Sequence, residues 1–360
     1  MSDNMSIKSY RGTYHLSYHS KDELLRLLDN DDNFFIIDRK ISSLYPEIKQ
    51  ILKPERVILI DTDEEAKTIK YVNPVMANLI ELGFKKNNCL VAIGGGITQD
   101  ISGYISSILY RGIRWKFVPT TLLAQGDSCI GSKTSINFNG IKNVLGTFYP
   151  PENVFVCNDF LTTLPEDDIK SGIGEMLHYY IYSDSNLLEE MTREYEQLIE
   201  NPCEFMGRYV EESLLIKREM IQRDEFDKGE RRVFNYGHTF GHAIEALSNY
   251  EVSHGLAVTI GMDIANYISL KNNIIDEDTY LYFNKHLEKN LIPYYIGIDR
   301  IDDYCSLLMK DKKNTDNDIV CILPYGIKDL KITKISENGT DISIDKLKND
   351  IINYMEERCL

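Results

Sequence analysis

The sequence predicts an α/β domain built on a parallel sheet, followed by a mostly α-helical domain. Three observations carry that prediction. Over roughly the first 160 residues, short β-branched and aromatic runs alternate with helix-like stretches, the pattern of crossover connections between parallel strands. After about Leu164 long amphipathic stretches take over. The 360 residues also exceed one typical domain, at about 100–200 residues each. The boundary is drawn to give domains 1–164 and 165–360.

Taken in order, strands are expected at 33–38, 56–61, 89–93, 115–120 and 153–157, where Val, Ile and Phe cluster. Helical spacing fills 66–82. The segment 119–143 reads as a polar loop region with small residues. Helices follow at 166–182, 204–223, 238–250 and 254–271, then a β-like pair at 318–323 and 330–335, and a last helix at 344–358. No internal repeat, low-complexity tract or long linker interrupts the chain, which predicts closely packed domains with a cleft between them.

Charge narrows the function classes. Forty Lys and Arg against 56 Asp and Glu leave a net charge of −16. Nucleic acids and anionic membranes call for a positive surface that displaces counterions, so neither is an expected partner. Any phosphate site must be local. The seven cysteines form no CxxC pair and read as free thiols in a reducing compartment. No apolar leader-like stretch or run of ~18 apolar residues is found, which predicts a cytoplasmic protein.

Four constellations carry chemistry. Val91-Ala-Ile-Gly94-Gly95-Gly96-Ile-Thr-Gln-Asp100 is a buried strand entering three glycines and then a helical pattern. Backbone without Cβ atoms can approach a pyrophosphate and aim amides at it, although the spacing is not GxGxxG and a tight turn would look the same. Asp38, closing the first strand, suits a ribose hydroxyl and equally suits a strand-end cap. Between Pro119 and Asn143, small residues with the two lysines Lys133 and Lys142 supply the best local candidate for an anion site, against the plainer reading of solvated loop lysines. Finally, His238 and His242 stand four apart on one helix face, with His254 and the upstream Glu175 completing a set of one Glu and two or three His suited to zinc. Lys217 and Arg231 lie nearby in sequence, where a guanidinium suits a carboxylate.

Read together, these stretches resemble 3-dehydroquinate synthases and the wider sugar phosphate cyclases. The resemblance runs from about Asp38 to Lys313 through Gly94-Gly95-Gly96-Ile-Thr-Gln-Asp100, Arg111-Gly112-Ile113, Val118-Pro119-Thr120-Thr121, Gln125-Gly-Asp127-Ser128, Gly131-Ser-Lys133-Thr, Lys142-Asn143, Leu164-Pro165, Ser171-Gly172-Ile-Gly-Glu175, Asn235-Tyr-Gly-His238-Thr-Phe-Gly-His242-Ala-Ile-Glu245 and His254-Gly255. It implies a dehydroquinate synthase-like fold in which the α/β domain holds NAD and the helical domain a divalent metal, zinc or cobalt. The implied metal ligands are Glu175, His238 and His254, with His242 set beside the substrate phosphate. NAD contacts would come from Asp38, Glu64, Lys67, Gly95, Gly96, Asp100, Thr120, Thr121, Lys133, Lys142, Phe160 and Thr163.

The implied substrate is a sugar phosphate, 3-deoxy-arabino-heptulosonate 7-phosphate. It would be converted to 3-dehydroquinate and phosphate by transient oxidation, phosphate elimination, re-reduction and intramolecular aldol closure, in the shikimate pathway. Arg111, Lys133, Asn143, His242 and Lys312 resemble the anion contacts, Asp127 and Lys217 the hydroxyl contacts, and Arg231 with Asn235 the carboxylate contacts. A homodimer is implied as well. The rivals are other sugar phosphate cyclases of amino-dehydroquinate, valiolone or inosose type, and a metal- and NAD-dependent polyol dehydrogenase. Three positions depart from the family pattern: His178 stands where a lysine is usual, Leu256 where an acid is usual, and Gln99 where a glycine is usual.

Overall fold

The computed structural model describes residues 4–139, 141–183, 186–310, 314, 318–336 and 342–358. Two compact units emerge, one formed by Met1–Pro165 with Asn201–Phe226 and the other by Glu166–Glu200 with Asp227–Leu360. The expected contiguous domain 165–360 is therefore interrupted. The reason lies on the helix Gly207–Arg223, whose polar residues find their partners in the first unit. Ser213 donates to the Gly126 carbonyl at 2.7 Å, and Glu225, just beyond the helix, accepts from Ser9 and from the Tyr10 amide. Helical periodicity shows that a face is buried and does not show which neighbour buries it.

The first unit is organised by a seven-stranded sheet. Its strands are β1 (Met5–Ser9), β2 (Gly12–Tyr18), β3 (Asn33–Asp38), β4 (Val57–Ile60), β5 (Cys89–Gly94), β6 (Arg114–Pro119) and β9 (Asn153–Val156), in the order β1-β2-β9-β6-β5-β3-β4. Every pair is parallel except β1 with β2. Central β5 reads Cys-Leu-Val-Ala-Ile-Gly and is buried at every position, as a parallel strand covered on both faces requires. The β1–β2 hairpin is absent from the expected elements because it is half polar. Only Met5, Ile7, Tyr14 and Leu16 face the core, alternating with Ser, Lys, Thr and His.

The region expected as polar loop, 119–143, instead holds one turn of π-helix at Ala124–Ser128 and the start of a two-stranded hairpin, β7 (Lys133–Phe138) with β8 (Ile141–Phe148). Its strands are joined by polar pairs such as the Thr134 and Thr147 hydroxyls, 2.9 Å apart. Strands held this way carry no apolar alternation to read.

The second unit is mostly helical, with a small antiparallel pair, β10 (Ile319–Gly326) and β11 (Asp329–Ile335). Helices Glu166–Tyr182, His254–Lys271 and Ile344–Arg358 span the expected residues. Helices Glu166–Tyr182 and His254–Lys271 cross closely at Gly174 and Gly255. A Cβ on Gly255 would come within 1.7 Å of the Ser171 carbonyl oxygen, and one on Gly174 within 2.1 Å of the Gly255 carbonyl oxygen. Among the described residues no helix is long and apolar enough to cross a membrane. The six described cysteines are all free.

Candidate functional site

In the first unit, the carboxyl ends of β3, β5 and β6 bring together Asp38, the glycine turn and Thr120–Thr121, since Ile37 pairs with Ile93 and Gly94 with Pro119. Strand order reverses between β3 and β5, where open α/β sheets place their ligand crevice. Gly95 begins the thirteen-residue helix Gly96–Ile108 with no side-chain cap, so its first amides remain available to an anion. The Thr120 Oγ1 beside this turn is buried without a hydrogen-bond partner. A glycine-lined helix start and an orphaned buried hydroxyl fit a dinucleotide's phosphates.

Asp38 caps the helix Arg39–Leu44, accepting from the Lys40 amide, and its other oxygen accepts from Thr62. Phe160 lies in the core with its ring edge-on to Tyr45, and the Thr163 hydroxyl meets the Tyr45 hydroxyl at 3.0 Å. Buried Lys67 is the hub of a polar network. Its Nζ sits 2.6 Å from Asp100 Oδ2 and donates to Asn143 Oδ1 at 2.6 Å, while Ser135 donates its backbone amide to Asp100 Oδ1 and its hydroxyl to Asn143 Oδ1, both at 2.8 Å. Glu64 accepts from Asn137 and lies 3.9 Å from Lys142 Nζ. Ser135 and Asn137, on β7, were missed because they belong to the hairpin read as loop.

Lys217 donates to Asp127 twice, at 2.7 Å to its carbonyl and 2.8 Å to its carboxylate. Gln99 is buried and clasps Ser128, donating to its carbonyl and accepting from its hydroxyl, both at 2.6 Å. Lys133 opens β7 with an exposed side chain. Arg111 stands apart from this set. It precedes β6, whereas the glycine turn follows β5, so a strand length of roughly 17 Å separates them along the sheet. Lys312 lies outside the described residues.

In the second unit, Glu175, His238 and His254 bring three ligand atoms within 4.8 Å of one another. Glu175 Oε1 lies 2.9 Å from His254 Nε2 and 3.6 Å from His238 Nε2. That oxygen is buried and faces two imidazole nitrogens, a donor set that suits a divalent cation. Each histidine presents Nε2 because its Nδ1 is engaged elsewhere, His238 with the Tyr236 carbonyl at 3.2 Å and His254 with Glu245 at 2.9 Å. The crossing at Gly174 and Gly255 is what brings Glu175 and His254 together, Glu175 following one of these glycines and His254 preceding the other.

Burial alone would raise the Glu175 pKa, but the charges of His238 and His254 and hydrogen bonds from His178 and His254 hold it well below the usual carboxylate range. Burial works against charge on His254 too, and there Glu245 and Glu175 prevail and raise its pKa well above the ordinary imidazole value. A cation would displace that proton. His242 lies beside the trio, its ring stacked 5.6 Å from that of His254, and with Glu245 and His254 forms a second convergent group. Arg231 is buried in the short helix Glu230–Asn235, and Asn235 donates to the Arg232 carbonyl. Glu245 had no role in the sequence reading, yet its place three residues after His242 and seven after His238 puts it on their face. Leu256 is buried apolar surface.

Comparison with known proteins agrees with this architecture. Residues 57–171 match the 3-dehydroquinate synthase N-terminal family and residues 172–314 the 3-dehydroquinate synthase C-terminal family. A 3-dehydroquinate synthase of Dictyoglomus thermophilum is 36% identical over 330 residues, covering 88% of this chain and 90% of that protein. One from Clostridium tetani is 32% identical over 335 residues, covering 92% and 87%. A crystal structure of 2-deoxy-scyllo-inosose synthase with carbaglucose-6-phosphate, NAD+ and Co2+ superposes with a TM-score of 0.81 at 23% identity, covering 97% of this chain and 99% of that one. With both halves matched and the relatives aligned over most of their own length, the chain belongs to the 3-dehydroquinate synthase family.

Proposed function

We propose that the chain is a 3-dehydroquinate synthase, a carbon–oxygen lyase that turns 3-deoxy-arabino-heptulosonate 7-phosphate into 3-dehydroquinate and inorganic phosphate. The observation that carries the reading is the convergence of Glu175 Oε1 with the Nε2 atoms of His238 and His254, in a chain more than 30% identical to named synthases. In this reading Glu175, His238 and His254 hold zinc or cobalt, and the turn at Gly95–Gly96 with Lys67, Asp100 and Thr120 holds NAD. The inosose synthase crystallised with NAD+ and Co2+ supports that pairing of cofactors. When bound, NAD takes and returns a hydride while the divalent ion acidifies the reacting hydroxyl.

The chain's own residues bind and orient. Lys217, fixed on both oxygen types of Asp127, presents a donor and an acceptor side by side to vicinal hydroxyls. Arg231 and Asn235 recognise the carboxylate, which separates this substrate from carboxylate-free sugar phosphates. Lys133 and Asn143 supply anion contacts on the first unit, and His242 supplies one on the second. Asn143 already accepts from Lys67 and Ser135, so its amide N–H groups are the ones left to donate. The homodimer belongs to the same reading and is checked by light scattering.

The test is a coupled assay with catalytic NAD and zinc. Many turnovers of phosphate release without net NADH, with 3-dehydroquinate as product, is the expected result. Stoichiometric NADH without phosphate would favour a polyol dehydrogenase.

A further inference from the structure

The three ligand atoms of the second unit have different needs behind them. His238 and His254 each require an acceptor for Nδ1–H, and each has one. The Glu175 carboxylate requires a donor for the oxygen it does not present. That oxygen, Oε2, lies 3.2 Å from His178 Nε2, one helical turn along. His178 is 1% exposed and sits among rings, with centroids 4.0 Å from Tyr179, 5.4 Å from His238 and 5.9 Å from Phe234. Its Nδ1 is buried without a hydrogen-bond partner.

A neutral imidazole has one proton to place. On Nδ1 it would be a buried donor with no acceptor, and the bare Nε2 would face a carboxylate oxygen. On Nε2 it is accepted by Glu175. The surroundings therefore select the Nε2–H form.

We propose that His178 is a positioning residue for the metal ligand Glu175: its Nε2–H holds Oε2 so that the carboxylate offers Oε1 alone to the cation. This rests on the metal centre proposed above. The side chain is enclosed and turned toward the ligand carboxylate. Outer partners of this kind govern ligand orientation and metal affinity.

Zinc and cobalt affinities, measured by chelator competition without substrate, test the role. His178→Leu removes the donor at similar volume and should raise the zinc Kd about 10- to 100-fold. His178→Gln restores an N–H donor and should recover most of that loss. The visible spectrum of the Co2+ form should be the same for wild type and the Gln variant. If the Leu variant does not fold, as judged by circular dichroism in chelator, His178→Met makes the same comparison. Unchanged zinc affinity in the folded apolar variant overturns the role. So does a Gln variant as weak as Leu with an altered Co2+ spectrum, which would make His178 a ligand. Intact metal affinity with a raised KM for the sugar phosphate would make it a substrate contact. Wild-type protein that binds neither ion would instead overturn the metal centre itself.

Discussion

Lys67 is buried, with Asp100 on one side and Asn143 on the other. Lys67→Met would leave the partly exposed Asp100 carboxylate held by Ser135 alone. A loss of about 2 kcal/mol in urea unfolding is expected, below the ~3–5 kcal/mol of a fully buried broken pair because Asp100 keeps some solvent. The NAD Kd should rise as well, since Asp100 would lose its orientation. Glu245→Gln acts on the other unit. Its amide can still accept from His254 Nδ1 but no longer carries the charge that polarises the imidazole, so isothermal titration should show zinc affinity about tenfold lower.

At the scale of elements, the decisive contact is the helix crossing at Gly174 and Gly255. Replacing a helical glycine by alanine ordinarily stabilises by about 0.5–1 kcal/mol. Gly255→Ala should do the reverse, because the new Cβ would press a backbone oxygen and force Glu175 and His254 apart. A lower Tm in chelator, together with weaker metal binding, is the expected pair of results; an unchanged Tm would mean the crossing can slide. These glycines were visible in sequence only as parts of motifs, since nothing in one chain says which helices touch. The same limit separates what was legible from what was not. The apolar cores of β3, β5 and β6 and the periodic helices could be read directly; residue type and spacing gave Glu175, His238, His242 and His254 as possible donors, and only the family resemblance singled out Glu175, His238 and His254. The β1–β2 and β7–β8 hairpins could not, because hydroxyl pairs and a half-polar edge hold them, and Ser135 and Asn137 were lost with β7. Arg111 is set by the sheet at the amino end of β6, away from the glycine turn of its own chain, a separation that sequence spacing does not reveal.

Over the whole molecule, the two candidate cofactor sites fall on different compact units, NAD on Met1–Pro165 with Asn201–Phe226 and the metal on Glu166–Glu200 with Asp227–Leu360. Each ligand stabilises the state that binds it by RT ln(1 + [L]/Kd), about 4 kcal/mol at 1,000 times Kd. Scanning calorimetry should therefore show zinc raising the melting of one unit and NAD the other, as two separable transitions. Equal shifts of a single transition by both ligands would mean the units unfold as one.

The segment Asn201–Phe226 belongs in space to the unit whose other part ends at Pro165. During synthesis that unit must wait for it. At about 5–20 residues per second, the ribosome takes roughly 3–12 s to travel from Pro165 to Phe226. Until then Asp127 has no Lys217, and Ser9 and the Tyr10 amide have no Glu225. The nascent N-terminal half thus emerges with its binding surface unfinished, and the chain carries in its own order of synthesis a delay before that half can close.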